Sequence, residues 1–529
     1  MFLARSRHDK RMFWARIVPN PNLFFYKNMR LFVRERCFLY LRGTIKRYFD
    51  MRLIGREQEV KDLNRLYNSD MPQFVAIYGR RRVGKTFLVD ETFKGRITFR
   101  HAGLSPVDHP QGHNILKSQL RNFYFSLTSQ GMKKSRVPAS WLEAFFMLEQ
   151  HLKSIDNGQR QLIFLDELPW MDTPRSGFVT ALEAFWNGWA CHRDNIMLVV
   201  CGSASSWIQN RLINNHGGLY GRLTFEIKLS PFNLGECEAF YRSRGVRLSR
   251  YEIARGYMAL GGVPYYLGYV EPSMSMVQNI DRLFFSKDAP LRGEFDRLFA
   301  SVFARPEEMK SIVKVLSNRH DGYTRGEIAR LTNIKQGGGL SKMLEALIVS
   351  DFVQSYVPFG HSMRDVHYKL VDPFCLFYLR HVAPNGINYG YWQQNQSSPS
   401  VLSWQGIAFE EICLMHIDQI KKALGIYGVS SRQSSWALRG DGEKDGTQID
   451  LLIQRNDNVV NLCEMKFYKN DFAVDRAYDR TLRNRLALLQ ERLPKRVAVH
   501  MTLITTFGLV YNEYSSDFQQ VILLDNLFE

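Results

Sequence analysis

The feature that most restricts the fold of this chain is residues 79–86, which read Gly-Arg-Arg-Arg-Val-Gly-Lys-Thr. An apolar run, Phe74–Tyr78, precedes this loop, and a helix is predicted from Lys85. The glycines let backbone N–H groups wrap around an anion, and the helix offers its N-terminal dipole to the same anion. Lys85 would pair with the β- and γ-phosphates, and Thr86 would hold magnesium. We therefore expect a nucleoside triphosphate, ATP, to bind here with Mg²⁺.

A second apolar run, Leu162–Leu165, ends in two acids, Asp166 and Glu167. Hydrolysis of a triphosphate needs a neutralised phosphate and an oriented nucleophile. Asp166 would hold magnesium through water, and Glu167 would polarise the attacking water. The alternative is a solvated acidic turn after a buried strand. Because the phosphate loop lies upstream, we interpret the pair as evidence for ATP hydrolysis.

A third apolar run, Ile196–Cys201, is followed by Ser203, a candidate sensor of the γ-phosphate. A simple turn is the alternative for Ser203. Arg222 is a candidate for stabilising charge during hydrolysis, within its own chain or on a neighbouring subunit, with a surface ion pair as the alternative. Strands that alternate with helices predict a parallel α/β sheet.

Residues 307–358 read as helix, turn, helix, turn, helix and hairpin, the order of a winged helix-turn-helix. Thr324 and Glu327 form a predicted capping box at the start of the middle helix. The third helix carries little charge besides Lys342 and Glu345, whereas a helix that reads DNA presents several Arg, Lys, Asn or Gln side chains. We expect this helix to pack against the ATPase or a partner protein.

Near the C-terminus, two apolar runs flank residues 456–458, Asn-Asp-Asn, which predict a three-residue hairpin loop. Pairing across that loop places Asp450 opposite Glu464, with Lys466 on the same face. Two carboxylates and a lysine would hold Mg²⁺ or Mn²⁺ and stabilise the transition state of phosphodiester cleavage. A solvated hairpin face, with charges that serve solubility, is the alternative.

Taken together, these motifs resemble the archaeal/bacterial ATPase family within the AAA+/STAND group of P-loop proteins. The matching segments are Gly55-Arg-Glu57, the arginine-rich loop, Leu165-Asp-Glu167, Cys201-Gly-Ser203, Leu219-Tyr-Gly-Arg222 and Gly261-Gly-Val-Pro-Tyr-Tyr266. The resemblance implies that Arg56 and Pro264 lie near the adenine, and that a helical lid and a winged helix follow the core. The predicted nucleotide-contacting residues are Arg56, Gly79, Arg80, Arg81, Arg82, Val83, Gly84, Lys85, Thr86, Phe87 and Pro264.

The C-terminal set Asp450, Glu464 and Lys466 resembles the core of PD-(D/E)xK nucleases. Glu410, on a predicted amphipathic helix, fits the additional acid that such cores often carry. The predicted metal ligands are Thr86, Asp166, Glu410, Asp450 and Glu464. Domains with this core also occur as binding modules, so cleavage and binding without cleavage both remain open.

The formal net charge is +18, and half of it lies in residues 1–50, an extension that we interpret as lying upstream of the natural start. A positive excess favours polyanion partners such as DNA, although it often serves solubility alone. The seven cysteines are scattered without a C-x-x-C pair, which favours a reduced, cytoplasmic setting. No stretch reaches about 18 consecutive apolar residues, so no membrane partner is expected.

We therefore predict an α/β chain with an AAA+-like P-loop core, a helical lid, a winged helix-turn-helix and a restriction-endonuclease-like domain. The predicted divisions are 1–50 (extension), 51–232 (core), 233–300 (lid), 301–375 (winged helix), 376–402 (linker) and 403–529 (nuclease-like domain). The predicted function is an ATPase coupled to a domain that acts on nucleic acid. The alternative is an ATP-controlled switch whose last domain binds without cleaving, with homo-oligomers or a protein partner as its output.

Overall fold

Five parallel strands form the sheet that carries the phosphate loop in the computed structural model. The structure describes residues 53–105, 115–214, 217–362, 364–438 and 447–529, so the predicted extension at 1–50 lies outside the described residues. The strands are β1 Gln73–Tyr78, β2 Ile97–Ala102, β3 Gln161–Asp166, β4 Ile196–Gly202 and β5 Phe225–Lys228, in the order β2-β3-β4-β1-β5. The predicted parallel α/β sheet is confirmed.

Strands β1, β3 and β4 are buried along their whole length. Their side chains are almost all apolar, because a parallel sheet is covered by helices on both faces. The helices of this part are α1 Glu57–Tyr67, α2 Lys85–Thr92, α3 Ile115–Ser129, α4 Trp141–Ser154, α5 Leu168–Met171, α6 Phe178–Gly188 and α7 Ser205–Ile208. Parallel strands end at one edge of the sheet, so the residues after β1, β3 and β4 converge there.

The region that follows is helical, as predicted for residues 233–300. Its helices are α8 Leu234–Ser243, α9 Arg250–Leu260, α10 Pro264–Leu267, α11 Met276–Ile280 and α12 Glu294–Val302. Asn233 and Ser249 begin α8 and α9 with complete capping boxes, which satisfy N–H groups that a helix start leaves unpaired.

Residues 306–370, termed the three-helix segment below, have the predicted order of elements. The elements are α13 Pro306–Leu316, β6 Tyr323–Thr324, α14 Arg325–Thr332, α15 Gly338–Val349, β7 Val353–Tyr356 and β8 His367–Leu370. The strands form a small antiparallel sheet in the order β6-β8-β7. The predicted capping box of Thr324 and Glu327 is present at the start of α14.

The third helix of this segment, α15, packs against the part of the chain that contains the parallel sheet. Its last residue, Val349, is buried in the hydrophobic core of the parallel sheet. Just beyond it, Asp351 pairs with Lys228 at the end of β5, with 2.6 Å between carboxylate and ammonium. This placement agrees with the expectation that the helix packs against the ATPase rather than reading DNA.

The prediction of a linker at residues 376–402 is wrong. This stretch is helical, and the helices here are α16 Pro373–Phe377, α17 Ala383–Asn385, α18 Tyr391–Asn395 and α19 Pro399–Met415. Trp392 is 2% exposed, and its amide donates to the carboxylate of Asp281. The polar composition of 393–400 misled the prediction, because the few large apolar side chains of the stretch are the ones that pack into the core.

The last region contains a mixed sheet of five strands. After α20 Ile417–Ala423, its strands are β9 Ser431–Leu438, β10 Thr447–Arg455, β11 Val459–Lys466, β13 Ala498–Thr505 and β15 Phe518–Leu523, with β12 Phe472–Ala473 and β14 Leu509–Val510 as a separate pair. The order is β15-β13-β11-β10-β9, with β9, β10 and β11 antiparallel and the rest parallel. Helix α21, Arg476–Arg492, connects β12 to β13.

Residues 54–529 pack as one unit, so the predicted lid, three-helix segment and C-terminal sheet are not separated by free linkers. None of the helices in the described part of the chain combines the length and the apolar character that crossing a bilayer requires.

Candidate nucleotide and metal sites

The backbone of the phosphate loop requires glycine at its start. Gly79 has φ 144°, and a Cβ at this position would lie 2.1 Å from the carbonyl oxygen of Leu229. Gly84 has φ 93°, where a Cβ would meet no protein atom within 4 Å. The loop is therefore closed against β5 on one side and opens into empty space at Gly84, the residue that precedes α2. This open space at a helix N-terminus is where an anion fits.

The side chain of Lys85 lies inside the loop. It is 6% exposed, and its Nζ donates to the carbonyl oxygens of Gly79 and Arg80, each at 3.0 Å. Burial lowers the pKa of the Lys85 ammonium below its usual value, against the opposing charge of Glu167. Lys85 is thus a buried cation held by two neutral acceptors, which phosphate oxygens would replace with a favourable charge interaction.

Thr86 and Asp166 meet, as the predicted magnesium site requires. The Thr86 hydroxyl donates to Oδ2 of Asp166 at 3.0 Å. The other oxygen of Asp166 accepts from the Glu167 amide at 2.9 Å and lies 2.6 Å from the Cys201 thiol sulfur. A hydroxyl and a carboxylate are the oxygen ligands, used directly or through water, that Mg²⁺ prefers beside phosphates, so the residues present fit this cation.

Glu167 and Ser203, at the ends of neighbouring strands β3 and β4, are joined directly. Oε2 of Glu167 accepts from the Ser203 hydroxyl at 2.9 Å and from the Ser203 amide at 3.0 Å. Glu167 itself has φ 46°, an uncommon left-handed conformation for a residue with a side chain. The structure therefore brings the predicted water-orienting acid and the predicted sensor into one contact.

Two of the three loop arginines pair with acids from distant segments. Arg80 is 1% exposed, and its guanidinium lies 2.8 Å from the carboxylate of Asp372, just after β8. Arg82 lies 2.8 Å from the buried Glu294 of α12. Arg81 has no ion-pair partner among the described residues, so it is the loop arginine that is available for a phosphate. The repeated arginines gave no indication of these separate uses.

The residues expected near the adenine, Arg56 and Pro264, are connected through residues 230–232. The Arg56 guanidinium donates to the Ser230 carbonyl at 2.6 Å and lies 4.8 Å from the ring centre of Phe232. The Phe232 amide donates to the carbonyl of Gly262, two residues before Pro264. Arg56 and the Pro264 turn are therefore linked through Phe232.

The remaining predicted nucleotide-site residues are less directly placed. Val83 is buried in the core and Phe87 is half-buried, so Val83 offers the loop its backbone rather than its side chain. Arg222 is exposed, and its side chain has no ion-pair partner within the described ranges. The surface ion pair considered for Arg222 is thus not present there.

The C-terminal hairpin has the predicted register. Leu451 pairs with Cys463 and Gln454 with Val460, which places Asp450 opposite Glu464. In the predicted loop, Asn458 has φ 62°, the left-handed conformation that asparagine tolerates.

Glu464 is the most enclosed of the C-terminal acids, at 2% exposure. One of its oxygens accepts from the Tyr478 hydroxyl at 2.6 Å, and the other is bound by the Arg485 guanidinium. Lys466 lies 3.7 Å from the same carboxylate. Tyr478 and Arg485 belong to α21, and their contacts were not foreseen, because nothing in the helix sequence indicates which strand it covers.

Glu410 completes the group of acids, as predicted from its helix. Burial, followed by the charge of Asp450, raises the pKa of the Glu410 carboxyl to about 8. A carboxyl whose pKa is raised in this way, beside a second carboxylate in a partly enclosed site, is typical of functional sites. A divalent cation between them would relieve the repulsion, so these residues also fit a metal ion.

One residue of this site was missed entirely. His320, in the turn before β6, Glu410 and Asp450 each offer a ligand atom, and the three atoms lie within 4.8 Å of one another. Gln448 bridges them, since its Nε2 lies 2.8 Å from Nε2 of His320 and 3.0 Å from Oδ1 of Asp450. A single histidine about 130 residues upstream carried no sequence signal that could have assigned it here.

Comparison with known proteins bears directly on the first site. Residues 53–270 match an ATPase domain predominantly from Archaea. The matched range contains the phosphate loop, the acid pair, Ser203 and Pro264, and it ends before the three-helix segment. Residues 53–270 are therefore similar in sequence to an ATPase domain, and they form an α/β fold with a parallel sheet.

Other likenesses extend further along the chain. An uncharacterized protein of Methanocaldococcus jannaschii, MJECL04, is 25% identical over 423 residues, which are 78% of this chain and 87% of that protein. The Walker-type ATPase PABY2304 of Pyrococcus abyssi is 18% identical, with a TM-score of 0.44, over 63% of this chain and 99% of that one. The Aeropyrum pernix ORC2 protein is 16% identical, with a TM-score of 0.39, over 66% and 98%. At these scores the two structural likenesses carry no further conclusion.

Proposed function

We propose that the P-loop domain binds ATP with Mg²⁺ and hydrolyses the triphosphate. The observation that carries this proposal is the convergence of Lys85, Thr86–Asp166 and Glu167–Ser203 at the ends of three neighbouring strands. Phosphoryl transfer is catalysed mainly by positioning and charge stabilisation, and these groups supply both.

Each residue has a distinct task in this reaction. Lys85 exchanges its two carbonyl partners for phosphate oxygens. Thr86 and Asp166 hold the cation, which neutralises charge on the phosphates when bound. Glu167, released from Ser203, orients the attacking water and takes its proton. Arg222, which is exposed, would stabilise charge within its own chain or on a neighbouring subunit.

The test is ATP turnover and binding by the full chain and by Lys85→Ala, with Lys94→Ala as the matched control. Lys94 is exposed just after α2, so its loss changes the same net charge without touching the loop. We expect Lys85→Ala to lose binding or turnover by at least about 100-fold and Lys94→Ala to keep both. Unchanged turnover in Lys85→Ala would overturn the proposal.

We further propose that the C-terminal region is a restriction-endonuclease-like domain whose acids hold a divalent cation for cleavage of nucleic acid. Its support is the mixed five-stranded sheet and the grouping of Glu410, Asp450, Glu464 and Lys466 around one hairpin. When bound, the cation supplies charge neutralisation at a phosphate, and Lys466 stabilises the attacking or leaving oxygen.

A second candidate function is an ATP-controlled switch in which this domain holds nucleic acid without cleaving it. The observation that favours it is Glu464, whose two oxygens are both engaged by α21. Here the ATP state would govern assembly with DNA, a protein partner or other copies of the chain.

Incubation with single- and double-stranded DNA in Mg²⁺ or Mn²⁺, with and without ATP, separates the two functions. Cleavage predicts product in the wild type, its loss in Glu464→Ala and Lys466→Ala, and its retention in the control Lys469→Ala, where an exposed lysine nearby is removed. Cleavage that survives in Glu464→Ala would refute the assigned site. DNA that stays intact but bound, even in Mn²⁺, supports the switch.

A further inference from the structure

His320 belongs to the three-helix segment, yet its imidazole lies at the C-terminal acids. The described residues place its ring nitrogen within 4.8 Å of a carboxylate oxygen from each of Glu410 and Asp450. These three side chains come from three different elements: the turn before β6, helix α19 and strand β10. An exposed histidine turned toward two carboxylates has one lone pair to offer, to a proton or to a metal ion.

A separate contact fixes the three-helix segment against the helix that carries Glu410. Lys369 of β8 and Glu411 of α19 form an ion pair at 2.8 Å, with the two side chains 9% and 5% exposed. Glu411 is the immediate neighbour of Glu410. A buried ion pair keeps its partners in register, since breaking one partner leaves an uncompensated charge.

The hairpin of the same segment also contacts the C-terminal sheet. The Phe359 amide donates to the Ser435 carbonyl of β9 at 2.8 Å, and the Phe359 ring packs edge-on against Trp436. His320 therefore does not reach the acids on a free loop. Its segment is held at α19 through Lys369 and at β9 through Phe359.

We propose that His320 is a third protein ligand, with Glu410 and Asp450, of a divalent cation shared between the three-helix segment and the C-terminal domain. This inference deepens the proposed C-terminal metal site and rests on it. A mixed set of one imidazole and two carboxylates suits a transition-metal cation such as Mn²⁺ better than Mg²⁺, which prefers oxygen ligands alone. Gln448, whose Nε2 contacts His320 Nε2 and Asp450 Oδ1 when no ion is bound, would leave these atoms to the cation.

The arrangement also links the metal site to the ATPase domain. The segment that provides His320 is anchored to the parallel sheet through Val349 and through the Asp351–Lys228 pair. A displacement of this segment would withdraw one ligand while the two carboxylates stay in place. The occupied site would therefore respond to the position of the three-helix segment.

The experiment measures Mn²⁺ binding to the metal-stripped full chain without nucleotide, in Thr86→Ala chains so that the phosphate site does not contribute. The affinity comes from the signal of free Mn²⁺ in electron paramagnetic resonance, and electron spin echo modulation reports an imidazole nitrogen bound to the ion. The compared variants are His320→Ala, Asp450→Asn and the control His361→Ala, which removes another exposed histidine of the same segment.

We expect nitrogen modulation in the parent chain and in His361→Ala, and its loss in His320→Ala together with an affinity that falls at least about tenfold. Asp450→Asn should weaken binding at least as much. Binding without nitrogen modulation in the parent chain, or with unchanged affinity in His320→Ala, overturns the inference.

Failure of the proposed function gives a different pattern. If DNA stays intact while Mn²⁺ binding depends on His320, cleavage fails and the shared metal site stands. If DNA is cleaved at the same rate by His320→Ala and its Mn²⁺ binding is unchanged, cleavage stands and the shared site fails. A chain that binds no Mn²⁺ and cleaves no DNA contradicts both.

Discussion

The phosphate-loop site and the C-terminal acid site differ in how they are assembled. The first is built from one continuous loop and the adjoining ends of strands in a single parallel sheet. The second gathers side chains from the turn at His320, helix α19, strands β10 and β11 and helix α21. The predicted phosphate- and cation-binding groups of the first site all lie at the edge of one sheet, although Arg80 and Arg82 also anchor the loop to distant segments. The acids of the second site come from separate layers that must dock, so we expect the second site to be the more sensitive to motion between segments.

The charges of the two sites are also opposite. The phosphate loop presents a buried cation, Lys85, to an anionic substrate. The C-terminal site presents Glu410 and Asp450 to each other, with Glu464 neutralised by α21. This contrast supports the proposals of a phosphate ligand at the first site and a cation at the second.

The largest expected effect is on ATP turnover, and it tests whether Glu167 is the group that activates the water at the phosphate site. Removing the charge of Glu167 in Glu167→Gln should lower ATP turnover by about 10²–10⁴-fold, the usual contribution of a general base. ATP binding should persist, because Lys85 and Thr86 are untouched. Steady-state turnover and nucleotide-binding titrations measure the two quantities separately.

Glu183→Gln, on helix α6 of the same domain, is the control for that measurement. Turnover in Glu167→Gln within a few-fold of the parent chain would show that another group activates the water, and the assignment of Glu167 would be wrong.

The next effect tests how far the phosphate loop depends on the rest of the chain. Asp372→Ala leaves the buried Arg80 guanidinium without its partner, which should cost about 3–5 kcal/mol of unfolding free energy. Lys153→Ala breaks the exposed Lys153–Glu149 pair of α4 and should cost about 1 kcal/mol or less. Urea unfolding of both variants provides the comparison.

Equal costs for these two pairs would show that Arg80 is rehydrated when Asp372 is lost. The anchoring of the loop to the segment after β8 would then contribute little. Asp372 also caps helix α16 through the Cys375 amide, and losing that cap should cost about 1 kcal/mol. A cost of Asp372→Ala well above this value identifies the pair as part of the structure that holds the phosphate loop in place.

The difference in how the two sites are assembled also explains which features could be predicted from the sequence. The loop 79–86, the acids after β3 and the parallel sheet follow from contiguous patterns with fixed geometry, and these were predicted. The hairpin register that sets Asp450 opposite Glu464 was also predicted, since a three-residue loop between alternating strands determines it.

Contacts between separate layers could not be predicted. Arg80 and Arg82 look alike in the sequence, yet they bind Asp372 and Glu294 from segments about 290 and 210 residues downstream. His320, Tyr478 and Arg485 reach the C-terminal acids only because of how the three-helix segment and α21 dock. Residues 376–402 were mistaken for a linker because composition does not show where Trp392 packs.

The smallest expected effect concerns the pH dependence of the C-terminal site in metal-free buffer. Glu410 faces Asp450, Glu411, Lys466 and Lys369, and its pKa is raised to about 8. A carboxyl whose pKa is raised on folding contributes stability that is fully present below its unfolded value and is lost as pH rises toward the folded value.

The unfolding free energy of the parent chain should therefore fall relative to Glu410→Gln between about pH 4.5 and pH 8. Because Glu410 is only partly buried, water screens part of the interaction, and we expect a loss of about 2 kcal/mol rather than the full value of the shift. Urea unfolding at pH 5, 6.5 and 8 measures this difference, with the exposed Glu513→Gln as control. Parallel curves for Glu410→Gln and the parent chain would mean that neither burial nor the charge of Asp450 raises the pKa of Glu410, and the contrast in charge between the two sites would then be lost.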